Sequence, residues 1–113
     1  MKPDEYPVFA QWYTTLDWIL NRCESFPKDV RFTISSRIAN LSLDVMEGII
    51  EAIYTKNRRL VLQRINLQLE KLRILFRISM QRRYLSMQQY EYVSREINET
   101  GKMIGGWMKT GGQ

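Results

Sequence analysis

The sequence predicts an all-α protein: an antiparallel up-down four-helix bundle that assembles into a homo-oligomer. Three observations lead there. Apolar residues recur at helical intervals along four stretches. Prolines stand only at positions 3, 7 and 27, so nothing after Lys28 is barred from helix by a missing amide hydrogen. The two middle stretches carry apolar residues on two sides, more than one bundle core can hide. The 113 residues suit one small core, and with no repeat, linker or low-complexity tract they read as a single domain.

The first helix is expected over about 8–24, with Val8, Trp12, Leu16, Ile19, Leu20 and Cys23 at helical spacing. Ser25-Phe26-Pro27 breaks that pattern. Pro27 suits the first turn of a second helix over 28–54, and Asp29 suits its positive end. Thr55-Lys56-Asn57 offers a turn into a third helix over 58–83. Ser86 followed by Gln89 matches a capping box, in which each side chain satisfies a backbone donor near the other. A fourth helix should follow over 87–105, with Tyr90, Val93, Ile97 and Ile104 facing inward. Gly105-Gly106 reads as its stop, and Gly111 and Gly112 as part of a frayed C-terminal tail. The short connections make successive helices antiparallel neighbours.

On the second helix, Val30, Ile34, Ile38, Leu41, Val45 and Ile49 form one apolar stripe. Phe32, Ala39, Leu43, Met46, Ile50 and Ile53 form another, at alternating steps that also suit a coiled-coil seam. Asp44, Glu47 and Glu51 make a narrow acidic edge between them. The third helix repeats the theme. Leu62, Ile65, Leu69, Leu72 and Phe76 line one side, and Leu60, Leu67, Ile74 and Ile78 the roughly opposite one. Each Leu or Ile left in water forfeits about 1.5–3 kcal/mol of burial. A second stripe therefore packs either on the first and fourth helices or on another copy. The reading taken here is self-association, with Phe32, Leu43, Met46, Ile50, Leu60, Leu67, Ile74 and Ile78 as the interface.

Charge is unevenly spread. The net charge is +5. Nine bases lie between residues 56 and 83, namely Lys56, Arg58, Arg59, Arg64, Lys71, Arg73, Arg77, Arg82 and Arg83, against the single acid Glu70, so that segment is +8. The other eight bases and eleven acids leave the remainder at −3. Seven of the nine are arginine, which forks two hydrogen bonds onto a phosphate and stacks on bases. These nine are the candidate nucleic-acid-binding residues, in a mode that holds a phosphate backbone without reading sequence. Some of them have an alternative use as ion-pair partners of Asp44, Glu47 and Glu51. Tyr84, Tyr90 and Tyr92 suit base stacking or, more commonly, packing.

Several functions are disfavoured. Cys23 is the only cysteine and there is no histidine, which removes an internal disulfide, Cys/His zinc sites and histidine-dependent nucleophiles. Cys23 reads as a small core residue. No Gly-rich phosphate loop is present, and the three acids of the second helix suit a solvated edge better than a catalytic pair. The expectation is no enzyme, no catalytic residue, no metal and no cofactor. The N-terminus lacks the pattern of a signal peptide and no stretch is long enough to cross a bilayer, so a cytoplasmic protein without a membrane partner is expected.

The segments FPKDVRFTISSRIANLSLDVMEGIIEA, NLQLEKLRILFRIS and YLSMQQYEYVSREINETGKMIGGW resemble the accessory variability determinant of diversity-generating retroelements. PVFAQWYTTLDWIL is similar to the first helix of that family. The resemblance spans about residues 6–109. Its more specific parts are the turn with Phe26, Pro27, Arg31 and Phe32 and the ending with Gly101, Met103, Gly105, Gly106 and Trp107. A broader relative is the four-helix-bundle group encoded in intervening sequences of ribosomal RNA genes. The resemblance implies a homopentameric barrel of bundles with a basic surface. It implies binding to the retroelement's reverse transcriptase and to its template RNA, and possibly DNA, in support of mutagenic cDNA synthesis whose chemistry belongs to the polymerase. The alternatives are a structural oligomerisation bundle without a nucleic-acid role, or a ribosomal-intervening-sequence bundle without a reverse-transcriptase partner.

Overall fold

The structure is a computed structural model and describes residues 2–110. Helix α1 spans Pro7–Cys23, after a single 3-10 turn at Pro3–Glu5. Helix α2 spans Ser36–Tyr54, α3 spans Arg58–Gln81 and α4 spans Met87–Thr110. Each helix packs on its neighbours in the chain, and α1 closes the ring on α4. The result is an all-α four-helix bundle of about 42 × 23 × 22 Å.

The core follows from the inward stripes. Trp12, Ile19, Ile38, Val45, Ile49, Leu62, Ile65, Leu69, Leu72, Phe76, Ile97 and Ile104 are fully enclosed. Trp12 solves the problem of its buried indole N–H by donating to the Ser42 carbonyl across the α1–α2 interface at 2.9 Å. Four buried hydroxyls would each be costly without a partner. Thr15, Ser42, Ser79 and Thr100 all donate to a carbonyl one turn back in their own helix, at 2.7–3.0 Å. Cys23 is half-buried at the end of α1, and desolvation raises its thiol pKa to about 11, so it stays a neutral packing residue near pH 7.

The helix ends differ from the spacing-based expectation in three places. Pro27 is extended rather than helical, with ψ at 145°. A 3-10 turn at Lys28–Val30 and a π-helical turn at Arg31–Ser35 come before α2. The Ser35 hydroxyl anchors that wide turn to the Cys23 carbonyl at 3.1 Å. Helix α3 stops at Gln81, because Arg83 takes a left-handed conformation with φ at 64°. That residue lets the Tyr84 amide reach back to the Ser79 carbonyl at 2.8 Å, a Schellman-type ending. Ser86 and Gln89 then make both halves of the capping box, at 3.0 and 3.1 Å.

The third difference is that α4 passes straight through Gly105-Gly106 to Thr110. Two interior glycines cost about 1 kcal/mol each relative to alanine. Packing beyond them offsets this: Trp107 meets Tyr6 with ring centroids 5.3 Å apart, and Met108 lies against Asn66 of α3. Of the frayed tail expected after 105, residues 106–110 are instead helical, and 111–113 lie outside the described residues.

At Gly48 the missing side chain makes room for Ile65 of α3. A Cβ there would stand 2.9 Å from Cγ1 of the fully buried Ile65. Gly106, by contrast, has open space where its Cβ would be. Gly48→Val should therefore lower the unfolding free energy by about 2 kcal/mol through overpacking, whereas Gly106→Ala should raise it by up to about 1 kcal/mol. Urea unfolding of both variants, followed by circular dichroism, checks the pair.

Candidate nucleic-acid interface

Helix α3 has an inner and an outer apolar side. The inner side, from Val61 to Phe76, is enclosed by the bundle. The outer side carries Leu60, Leu67, Ile74 and Ile78, all exposed, Leu60 at 60% and Leu67 at 56%. Leu60, Leu67 and Ile74 recur every seven residues, so they stack along one line of the helix surface. The bundle supplies no partner for this line.

On α2 the second stripe is only partly outward. Leu43 and Ile50 are exposed, and Tyr54 continues their line. Met46 and Ile53 are buried within the monomer, so Met46 belongs to the core rather than to the exposed interface set. Its helical angle lies nearer the core than those of Leu43 and Ile50. Phe32 departs in the other direction. The wide π turn rotates it off the line of Leu43 and Ile50, and it is 85% exposed.

The nine bases of 56–83 fall into distinct settings. Arg59, Arg73 and Arg77 share one edge of α3 beside the outer stripe, and Arg64 and Lys71 flank its other side. Lys56, Arg59, Lys71, Arg77 and Arg83 are exposed and have no ion-pair partner among the described residues. Arg64 pairs with Glu51, both half-exposed, an arrangement worth little in water. Among the described residues, Glu51 is the one member of the acidic edge that engages a base, so Asp44 and Glu47 leave the patch un-neutralised.

Arg73 reaches across to α4. It donates to Glu70 at 2.9 Å and to the Asn98 side chain at 3.0 Å. Its guanidinium lies 3.1 Å from where a Cβ on Gly101 would stand, so the glycine makes room for it. Arg82 packs over the Tyr84 ring at 6.0 Å and donates to its hydroxyl at 3.1 Å.

Arg58 is the base whose setting differs most from a phosphate contact. Its guanidinium donates to the Ala52 carbonyl at 2.7 Å and to the Ile53 carbonyl at 3.4 Å, and lies 5.0 Å from the centre of the Trp107 ring. These are carbonyls of the last turn of α2, which lack helical partners. Arg58 thus joins α2, α3 and α4 at one end of the bundle. Its position in the sequence, one of nine bases in a row of charge, gave no sign of this.

The tyrosines divide similarly. Tyr84 packs on Phe26 at 5.6 Å and Tyr92 on Trp18 at 5.0 Å, while Tyr90 is half-buried against the core. An open groove of about 660 Å³ runs between α2 and α3. Leu41, Ile74 and Leu75 line it, with Arg37, Asp44 and Lys71 at its rim. Among the described residues there is no group of three or more His, Cys, Asp or Glu able to hold a metal ion, and no helix is long and apolar enough to cross a membrane.

Removing the Arg58 side chain should expose its structural role. Arg58→Ala should cost about 1–3 kcal/mol of stability, from the lost carbonyl hydrogen bonds and the cation–π contact. Its affinity for a nucleic-acid probe, measured below the unfolding transition, should change less than threefold, whereas its urea midpoint should fall clearly.

A family model described as bAvd-like matches residues 8–111 of the chain. No curated protein matches it.

Proposed function

The chain belongs to the bAvd-like family, and from that premise we propose that it is a non-catalytic accessory of a diversity-generating retroelement. In this reading it binds the element's reverse transcriptase and template RNA and supports mutagenic cDNA synthesis, while the polymerase supplies the chemistry. The observation that carries the reading is the outer surface of α3, where a Leu/Ile line is flanked by Arg59, Arg77 and Lys71, which form no ion pair among the described residues. A phosphate backbone is the partner such a surface suits, and release of its counterions supplies the driving force.

Self-association belongs to the same proposal. Leu43 and Ile50 on α2 and Leu60, Leu67, Ile74 and Ile78 on α3 are unlike stripes on different faces. They fit a head-to-tail contact, α2 of one copy against α3 of the next, which makes a ring when the rotation between copies closes. The family resemblance puts the number of copies at five. Repetition around such an axis multiplies Arg59 and Arg77 on one edge of α3, and Lys71 on the other, into a band of positive charge. Lys56 and Arg83 extend it towards the two ends of α3, and Arg64, Arg73 and Arg82 add charge despite their internal contacts.

Two measurements test this. In light scattering, the wild type should have the mass of an oligomer, and Leu67→Asp with Ile74→Asp should shift it to the monomer without loss of helix. A wild-type monomer would remove the ring. In a pull-down at low salt the protein should retain the reverse transcriptase and its RNA. Arg59→Glu with Arg77→Glu should weaken RNA binding at least tenfold across sequences, with a shallower salt dependence. An oligomer with no affinity for nucleic acid or polymerase would leave only a structural bundle.

A further inference from the structure

The bundle has a second basic surface, at the end where α1 and α3 finish. The connections on either side of Phe26 and Tyr84 lie side by side there, and those two rings meet at 5.6 Å. Arg82 packs on the same Tyr84 ring. Phe26 also lines an open cleft of about 640 Å³ together with Lys28 and Arg31. Lys28, Arg31, Arg82 and Arg83 are all exposed, and none forms an ion pair among the described residues. The acids in these two connections are Glu24 and Asp29, so positive charge prevails.

Next to Arg31 stands Phe32, the most exposed large apolar side chain of the described residues. It stands in the π turn, away from the core, and has no ring partner among the described residues. A bare aromatic ring beside Arg31, on the end of the bundle that also carries Lys28, Arg82 and Arg83, suits one ligand chemistry well. Phosphates meet the cations, and an unstacked base meets the ring.

We propose that this end of the bundle binds single-stranded nucleic acid, with Phe32 as the stacking platform and Lys28, Arg31, Arg82 and Arg83 as phosphate contacts. A duplex satisfies only half of the site. Its phosphates are available, but its bases are already stacked on one another and offer the ring no free face. The proposal rests on the nucleic-acid reading above. It assigns a role to Lys28, Arg31 and Phe32, which lie outside the charged α3 segment, and it gives the surface a preference that a band of arginines alone lacks.

The test uses the full chain with a fluorescent single-stranded RNA of mixed sequence, and the same strand annealed to its complement, read by anisotropy. Phe32→Ala should weaken single-strand binding about tenfold and duplex binding less than twofold. Phe32→Trp should restore the single-strand affinity. Lys28→Gln with Arg31→Gln should weaken both probes and reduce the single-strand salt slope by about 1.4, the loss expected for two phosphate contacts. If Phe32→Ala weakens both probes alike, or neither, while the wild type binds, this site is overturned and the broader nucleic-acid reading stands. If light scattering shows that Phe32→Ala also changes the oligomer mass, the ring acts through assembly and the proposal falls. A wild type that binds neither probe removes both readings.

Discussion

The constraint from which the structure follows is that α3 has apolar residues on two opposite sides and a four-helix bundle covers only one of them. The inner residues, Leu62, Ile65, Leu69, Leu72 and Phe76, lie on the helix that packs against both α2 and α4, and they hold the core together. The outer line remains in water in the monomer. Because the bases of the segment must lie between these two sides, they form edges along the outer line rather than a ring around the helix. The positions of the exposed charge and of the exposed apolar surface therefore share a single cause.

That cause also makes α2 asymmetric. Gly48 brings α2 close to Ile65, which fixes how α2 is rotated against α3. With this rotation Met46 and Ile53 fall under cover and Leu43 and Ile50 do not. A helix with two equally spaced stripes in the sequence thus has one complete inner stripe and one shortened outer stripe in the fold. The acidic edge faces solvent beside α3 and takes up one arginine, Arg64.

Much of this was legible in the residues. The four helical segments, the inward stripes and the capping box at Ser86 and Gln89 all depend on spacing within one helix, which a sequence displays directly. Features that depend on contact between helices were not legible. Arg58 reads as one base among nine, yet its partners are the final carbonyls of α2 and a ring on α4. Arg73 gives no hint that Gly101 clears space for it. Gly105 and Gly106 read locally as a stop, but Trp107 and Met108 find partners on the rest of the bundle and extend the helix past them. Met46 left the exposed stripe for the same reason, while Phe32 stands outward in a turn of different pitch. Whether a residue at the margin of a stripe is covered depends on helix rotation and on a change of helical pitch, neither of which periodicity records.

The π turn at Arg31–Ser35 has a consequence for how this surface can vary. A wide turn holds about one residue more than the α-helical turn it replaces. Losing a residue from this segment would restore ordinary pitch and swing the residues just before it by about 100° around the axis. Phe26 and helix α1 are held in the core on one side of the turn and Ser35 and Ile38 on the other, so the residues between Phe26 and Ser35 would have to absorb the swing. Chain length at this one point thus acts as a dial, able to aim the aromatic ring and its neighbouring cations in a new direction while leaving the helices below it in place.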